Sequence, residues 1–297
     1  MGVNITGGTK PMSIACLTSA LRKGWEAYYI DTTGRQVIWL SGKRRREPLR
    51  PLFTSVDPFI RLSSEEILNP SAAAPTASMK ARRQLTFTIA KKLSSPVNKL
   101  AQRLAREKLP EKPGVAFEVA TGKVQARLTS GGEARLITSE EEFRFGEMSD
   151  FAAYLAGGWM EEFCFWKLEP LCRKGKIFDL RLNVSTTSGN GQGGEKHAFQ
   201  ELDLLFTDGY DLLLIECKSG AVTQEHIQKL ENLTSRYGGV FGKGLLLSTF
   251  SPRYDTFADR VRNSRNIACI AGRAIHDLPI HVLSVTPGDF IGDKRRN

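Results

Sequence analysis

Two carboxylates and an amine lie close together in a strongly apolar part of the sequence. Asp203 stands within the apolar run 201–206, and Glu216 and Lys218 end the run 211–218. Asp208-Gly209 between the runs is typical of a hairpin turn. A turn there would set Asp203 diagonal to Glu216, roughly 7–8 Å apart, with Lys218 on the same face. Carboxylate oxygens suit Mg²⁺ or Mn²⁺, so the pattern predicts a divalent metal site with Asp203 and Glu216 as ligands.

The same residues suit phosphodiester hydrolysis. A divalent ion lowers the pKa of a bound water and stabilises negative charge on phosphate oxygens. Lys218 would contact the same phosphate or orient the attacking water. A further acid is expected from a helix predicted over residues 159–168, which carries Glu161 and Glu162. The competing interpretation is a surface ion pair without a catalytic role, an interaction that contributes little.

The order of the predicted elements favours the catalytic interpretation. The helix over 159–168 precedes strands near 178–184, 201–206 and 212–218, and a helix over 223–237 and a strand over 244–249 follow. Thr223 is the expected cap of the second helix, and Gly238-Gly239 its end. This constellation resembles the PD-(D/E)xK nuclease superfamily, whose core is helix, three-stranded meander, helix and strand. An α/β fold with a C-terminal domain like a restriction endonuclease is therefore expected.

Composition places the chain among ordinary globular proteins. It has 297 residues, of which 41% are hydrophobic and 25% charged. The sequence has neither the run of about 20 apolar residues that crosses a bilayer nor a signal-peptide layout, so no membrane partner is expected. The five cysteines are scattered without a CxxC pair, which favours reduced thiols in a cytoplasmic protein.

The net charge of +10 is concentrated in one part of the chain. Residues 35–112 hold 17 Lys or Arg against 6 Asp or Glu, so the rest is close to neutral. A focused basic region beside a candidate nuclease suggests contact with a phosphate backbone, that is, a nucleic-acid partner. The alternative is a solvated helical face together with a flexible loop at residues 43–46.

Three segments are predicted along the chain. Residues 1–42 read as strand, glycine turn, helix from Pro11 to about Lys23, and a hairpin. Residues 43–148 read as a basic linker, with scattered prolines and little core-forming sequence over 48–78, followed by helices and short strands. Residues 149–297 form the nuclease-like domain.

The linker segment contains two predicted helices, over residues 80–93 and 96–109. In the second, Ser95 is the expected cap and Pro96 the first helical residue. Its buried stripe is expected to consist of Val97, Leu100, Ala101 and Leu104. Short strands are expected near 115–119, 124–128 and 133–137.

The turn Thr6-Gly7-Gly8-Thr9-Lys10 has the properties of an anion-binding loop. Glycines let backbone amides approach a ligand, and the N-terminus of the following helix is electropositive. Thr9 and Lys10 add a hydroxyl and a cation. The GxxxxGK[ST] spacing of a P-loop is absent, and taken alone the turn favours a plain strand-to-helix connection.

Together, this turn and the C-terminal motif resemble the CARF-domain nucleases of type III CRISPR systems. The likeness lies in residues 4–12, 157–162, 201–203 and 215–220. It implies a Rossmann-like CARF sensor fused to a PD-(D/E)xK nuclease, forming a homodimer activated by a cyclic oligoadenylate, most simply cyclic tetra-adenylate. By motif, Thr6, Gly7, Gly8, Thr9 and Lys10 would line the activator site. Glu161, which follows Gly-Gly-Trp-Met, would bind metal with Asp203 and Glu216, and Lys218 would assist catalysis.

The glycine turn comes much earlier here than in that family. Because one strand, one helix and a hairpin cannot form a doubly wound sheet, residues 1–42 are expected to be a partial CARF segment. The expectation is a truncated chain or a start codon placed too late. Two other functions stay open, namely an unregulated repair or restriction-type endonuclease and a non-catalytic nucleic-acid-binding protein.

Overall fold

The chain folds into two compact units, Met1–Leu52 and Phe53–Asn297. The structure is a computed structural model that describes residues 2–41, 43–68, 74–107, 116–129, 133–188, 200–252, 255–284 and 289–291. Within these ranges, no helix has the length and apolar character that a membrane crossing requires. The three predicted segments 1–42, 43–148 and 149–297 stay a prediction.

The first unit is a small sheet with one crossover helix. Its elements are β1 (Gly2–Asn4), α1 (Lys10–Arg22), β2 (Glu26–Asp31), β3 (Gln36–Trp39) and β4 (Arg46–Pro48). The sheet order is β1-β2-β3-β4, with β1 parallel to β2 and the other pairs antiparallel. The predicted strand, helix and hairpin are therefore present. The loop predicted at 43–46 is wrong at its end, since Arg46 pairs with Ile38 in the ladder.

The second unit begins with elements that sequence patterns predicted poorly. These are α2 (Asp57–Leu62), β5 (Glu65–Ile67), α3 (Ala77–Ala81), α4 (Arg83–Thr88) and α5 (Ser94–Glu107). A π-helical stretch, Ile89–Leu93, joins α4 to α5. A four-stranded antiparallel sheet follows, made of β6 (Phe117–Thr121), β7 (Val124–Leu128), β8 (Ala134–Thr138) and β9 (Glu142–Phe145).

The rest of the second unit contains the nuclease-like elements in the predicted order. They are α6 (Met148–Ala153), a π-helical turn (Tyr154–Gly158), α7 (Trp159–Arg173), β10 (Phe178–Ser188), β11 (Gln200–Thr207), β12 (Leu212–Lys218), α8 (Gln224–Gly238) and β13 (Lys243–Ser248). After them come α9 (Asp255–Arg262), β14 (Ile267–Ala271), a 3₁₀ turn (Gly272–Asp277), α10 (Leu278–Ser284) and β15 (Phe290–Ile291).

One seven-stranded sheet organises these elements, in the order β15-β14-β13-β12-β11-β10-β5. The strands β10, β11 and β12 form the antiparallel meander, and β12 to β15 run parallel. Helix α7 packs with Phe206 and Ile215 on one face, whereas α8 packs with Leu205 and Leu214 on the other. Because both faces are covered, β12 is apolar at nearly every position, as expected for a strand buried on both sides.

The prediction of little core in residues 48–78 is wrong. Val56 and Ile60 are fully buried in the core on the α8 side, and β5 pairs with β10 at the edge of the large sheet. Pro58 does not break this structure because it lies at the start of α2, where a missing amide hydrogen has no cost. The scattered prolines of residues 48–78 therefore did not indicate a segment without core residues.

The predicted start of the second helix is also wrong. Ser95 lies inside α5 and does not cap it, because the helix continues from the π-helical stretch. A proline ring clashes with the carbonyl four residues earlier in a regular helix, and the wider π turn before Pro96 accommodates that ring. The apolar stripe is confirmed at Val97, Leu100 and Leu104, which are buried, and Ala101 is partly buried against the same core. The predicted end of this helix and the predicted strand start at 115 lie outside the described residues.

A buried ion pair holds α7 against the helices of residues 53–148, the middle region of the chain. The Arg82 guanidinium contacts Glu162 at 2.5 Å and Asp150 at 2.5 Å, and it lies 4.7 Å from the centroid of the Tyr154 ring. Side chains of both Arg82 and Glu162 are about 5% exposed. Arg82 therefore supports the fold, although it belongs to the basic segment that suggested nucleic-acid contact.

Replacing Arg82 with methionine should strongly destabilise the protein. The change leaves the Glu162 carboxylate buried without a cation, a loss of about 3 kcal/mol in the free energy of unfolding. Urea denaturation would measure it, with Arg103→Met, in an exposed pair with Glu107, as the control. Equal stability of the two variants would contradict this role, and adding Glu162→Leu to Arg82→Met should recover much of the loss.

Candidate active site

The register of β11 and β12 brings the two predicted carboxylates closer than the sequence suggested. Leu204 pairs with Ile215 and Thr207 with Leu212, so the loop spans four residues and not the two of an Asp-Gly turn. Continued by one residue, this register sets Asp203 directly opposite Glu216, which corrects the predicted diagonal. The observed register differs from the predicted one by two residues. Because strand side chains alternate between faces, Asp203, Glu216 and Lys218 still share one face. Directly opposite side chains lie roughly 4.5–5.5 Å apart at Cβ.

Asp203 is held by the backbone of the opposite strand. Its carboxylate accepts a hydrogen bond of 2.7 Å from the backbone amide of Cys217. Burial and the negative charge of Glu216 nevertheless raise the pKa of Asp203 to about 6, outweighing that hydrogen bond and the charge of Lys218. Without a metal ion, the carboxylates of Asp203 and Glu216 therefore repel one another.

Glu216 is only 2% exposed, and two lysines neutralise it. Its Oε1 lies 2.7 Å from the Nζ of Lys218 and 3.1 Å from the Nζ of Lys229. Lys218 comes from the same strand, two residues on, and Lys229 reaches across from α8. Because both cations bind one carboxylate oxygen, Glu216 is the centre of the charged cluster.

Glu161 joins this cluster from the first turn of α7. Burial, followed by the charges of Asp203 and Glu201, raises the pKa of Glu161 to about 8, although Asn183 forms a hydrogen bond with it. The helix begins where it does because Gly157 has φ 155°, a conformation that glycine adopts readily. The Gly-Gly sequence before Trp159 thus directs the first turn of α7 toward the strands.

Its neighbour Glu162 points elsewhere. The Glu162 carboxylate is occupied by Arg82 and lies near the hydroxyl of Thr86, at 3.3 Å. Burial raises the pKa of Glu162, partly offset by the hydrogen bond from Arg82. The geometry therefore brings Glu161, and not Glu162, to the electrostatic cluster of Asp203, Glu216 and Lys218.

These acids do not form a finished metal cage. Within the described ranges, no three His, Cys, Asp or Glu side chains are arranged to hold a metal ion. The reason is visible at Glu216, whose carboxylate is turned to its two lysines, and at Asp203, which binds a backbone amide. The chemistry of the donor set still fits a hard cation, because Asp203 and Glu161 have raised pKa values and a divalent ion would relieve the repulsion among the acids.

The predicted activator loop lies on the turn between β1 and α1. Gly7, Gly8, Thr9 and Lys10 are exposed at the N-terminus of the helix. Gly8 has φ 91°, a left-handed conformation that favours glycine, and the Thr9 side chain makes no capping hydrogen bond. Thr6 is occupied differently, since its hydroxyl accepts a 2.7 Å hydrogen bond from the Ile30 amide and so ties the turn to β2.

Comparison with known proteins identifies both parts. Residues 1–54 match the family described as the Card1 CARF domain, and residues 149–285 match the family described as the Card1-like endonuclease domain. The chain joins a CARF domain to a Card1-like endonuclease domain. A comparison with proteins of curated function found no match.

Two solved structures share the fold over nearly the whole chain. Protein VC1899 from Vibrio cholerae has a TM-score of 0.67 at 16% identity, covering 95% of this chain and 74% of that one. Can2 from Sulfobacillus thermosulfidooxidans, solved in complex with cyclic tetra-adenylate, has a TM-score of 0.64 at 19% identity with the same coverage. The expected α/β fold is thereby confirmed.

Two residues of the endonuclease domain were missed by sequence reasoning. Lys229 contacts Glu216, and His226 accepts a 2.9 Å hydrogen bond from the Thr223 amide as part of the capping box of α8. Burial and the charges of Lys218 and Lys229 lower the pKa of His226. Only the capping role of His226 had a local signal, its position three residues after Thr223, because the contact of Lys229 depends on how α8 is rotated over the sheet.

The raised pKa of Glu161 predicts a pH-dependent stability. An ordinary glutamate, with a pKa near 4.5, ionises in the unfolded chain well before Glu161 does in the fold at about 8. The folded protein thus holds an extra proton between these values, and its free energy of unfolding falls as pH rises through them. Glu161→Gln should therefore stabilise the metal-free protein at pH 8.5, on the order of 2 kcal/mol, and change little at pH 4.5.

Urea denaturation in EDTA at both pH values measures this difference. Glu225→Gln, at an exposed position on the first turn of α8, is the matched control and should show no such pH dependence. If Glu161→Gln has the same effect at pH 4.5 and pH 8.5, the carboxyl is not held protonated by its neighbours.

Proposed function

We propose that this chain is a divalent-metal-dependent endonuclease that hydrolyses phosphodiester bonds of DNA or RNA. We further propose that cyclic tetra-adenylate activates it, in type III CRISPR antiviral defence. The observation that carries the proposal is the electrostatic cluster of Glu161, Asp203, Glu216 and Lys218 at one end of a buried sheet. The Card1-like endonuclease domain match over residues 149–285 covers the same four residues.

Asp203, Glu216 and Glu161 are the residues that would hold Mg²⁺ or Mn²⁺. Such an ion supplies a water of lowered pKa and stabilises charge on the phosphate oxygens. The raised pKa values of Asp203 and Glu161 mean that both carboxyls must lose protons as the metal binds. Affinity for the ion should therefore increase with pH between about 6 and 8.

Lys218 has a separate task. Its ammonium is held by Glu216, and this pairing, after the opposing effect of burial, raises the pKa of Lys218. The side chain thus stays charged at neutral pH and is 29% exposed, so it remains accessible to a substrate phosphate. Lys229 provides a second positive charge on the same oxygen, which keeps Glu216 neutralised when Lys218 turns to substrate.

The CARF segment would regulate the activity of the endonuclease domain. The amides and side chains of Thr6, Gly7, Gly8, Thr9 and Lys10 would bind the phosphates of cyclic tetra-adenylate at the N-terminus of α1. The exposed, uncapped turn supports this assignment, as does the complex of Can2 with that ligand. A homodimer is proposed as the active form, in which two such loops share one cyclic ligand.

Single substitutions in the cluster should abolish cutting. Asp203→Asn, Glu216→Gln and Lys218→Ala should each lower the rate about 100-fold or more, since each removes a charge that acts on the transition state. Cleavage of labelled single-stranded and duplex DNA and RNA, with Mn²⁺, with Mg²⁺ and with EDTA, measures the effect. The control is Lys123→Ala, an exposed lysine of the β6–β7 turn. Undiminished cutting by Glu216→Gln, or by the parent protein in EDTA, would overturn the proposal.

Cyclic tetra-adenylate should increase the cutting rate of the parent protein, and Lys10→Ala should weaken the activation. The loss of one charge-assisted contact to phosphate corresponds to about tenfold in the ligand concentration required. Arg22→Ala, in the last turn of the same helix, is the control. Equal cutting with and without ligand would favour an unregulated repair or restriction-type endonuclease, and sedimentation with and without ligand tests the dimer.

A further inference from the structure

A large cavity lies beside the candidate active site and has no role in the chemistry above. Its volume is about 490 Å³, within the range of small-molecule sites. Helix α5 forms one wall with Asn98, Lys99 and Gln102, and the opposite wall consists of residues 220–222 with Phe250. The cavity is therefore built partly from the middle region of the chain and partly from the loops that follow β12 and β13.

The cavity is joined directly to the catalytic strand. Gly220 lies two residues after Lys218, and the Asn98 amide donates a hydrogen bond to the Ser219 carbonyl between them. The Thr249 hydroxyl donates to the same carbonyl at 2.6 Å, and the Ser248 hydroxyl donates to the Gly220 carbonyl at 3.1 Å. These bonds fix the wall of the cavity relative to Lys218, so a ligand there has a defined position beside a phosphate bound at Lys218.

The lining has the chemistry that recognises a nucleobase. Phe250 is 43% exposed and offers an aromatic ring for stacking, Gln102 offers an amide for a base edge, and Lys99 offers a cation for a phosphate. Asn98 is 8% exposed, and its Oδ1 has no hydrogen-bond partner among the described residues.

Charge continues from the cavity along the same helix. Lys99, Arg103 and Arg106 are all exposed on α5, and Arg103 is paired only with the exposed Glu107 among the described residues. A nucleic-acid strand that leaves the active site over the cavity would therefore meet a line of cations. A neutral apolar ligand would make no use of them.

We propose that this cavity receives one unstacked nucleobase of the substrate strand, next to the phosphate that is cut. The proposal rests on the proposed nuclease function and specifies its substrate, because a base can enter only after it has left its stack and its pair. Unstacking and unpairing a base cost a few kcal/mol in a duplex and least in a single strand. Single-stranded nucleic acid is accordingly the preferred substrate.

An abasic scan tests the proposal. Single-stranded oligonucleotides that carry one abasic nucleotide at successive positions around the cleavage site are bound to the full chain in EDTA, and cleaved in Mn²⁺ with cyclic tetra-adenylate. Loss of one base–aromatic stack should weaken binding about tenfold, at a single position of the scan. Phe250→Ala should weaken binding of the intact strand similarly and abolish the abasic penalty at that position, since both changes remove the same contact.

Two further variants separate stacking from general damage. Phe250→Trp should retain the binding and the penalty, because tryptophan also stacks on a base. Phe241→Ala removes another exposed phenylalanine, 57% exposed and outside the cavity lining, and should behave like the parent. A duplex of the same sequence should bind at least tenfold more weakly than the single strand.

Several results would overturn the proposal. They are an abasic penalty that is absent or equal at all positions, a penalty that survives Phe250→Ala, and equal binding of duplex and single strand. These results leave the nuclease proposal standing if the parent protein cuts. Absence of cutting with a position-specific penalty in binding would refute the nuclease proposal alone, and absence of any nucleic-acid binding would refute both.

Discussion

Repulsion among buried carboxylates is the constraint on which the candidate site depends. Asp203 and Glu216 face one another across adjacent strands, and Glu161 approaches from α7, all with little access to water. Lys218 and Lys229 form direct ion pairs with one of the three, Glu216, and only partly offset the repulsion at the others. The remaining two keep raised pKa values, so the metal-free protein reduces its charge by binding protons. Under the proposed function, a divalent ion would displace those protons and compensate the charge of the acids.

The separation of two adjacent glutamates follows from the surrounding core. On a helix, neighbouring residues point in directions about 100° apart, so Glu161 and Glu162 cannot share one site. Arg82, packed against Tyr154, satisfies Glu162 and leaves Glu161 directed at the strands. This buried pair stabilises α7 only as a complete unit, because either partner alone would be an uncompensated charge. Glu162 thus fixes the rotation of the helix, and that rotation directs Glu161 toward Asp203.

Local patterns in the sequence predicted what depends on local physics. The meander, the Thr223 cap and the apolar stripe of α5 follow from alternation, capping and helical periodicity, and the Glu-x-Lys spacing placed Glu216 and Lys218 on one face. Long-range choices were not accessible. A four-residue loop in place of an Asp-Gly turn changed the partner of Asp203, and the pairing of β5 with β10 depends on residues far apart in sequence. The contact of Lys229 with Glu216 required knowledge of how α8 is rotated over the sheet, which no single motif encodes.

The middle of the chain, between the two family matches, is part of the endonuclease unit and not a spacer. Family matches end at residue 54 and resume at residue 149, yet the compact unit that holds the site begins at Phe53. Within that stretch, Arg82 sets the orientation of α7 and Asn98 binds the loop after Lys218. Helix α5 also carries the exposed cations Lys99, Arg103 and Arg106. The four residues assigned to hydrolysis under the proposed function lie in the matched segment, whereas Arg82, Asn98 and the cations of α5 lie in the unmatched stretch.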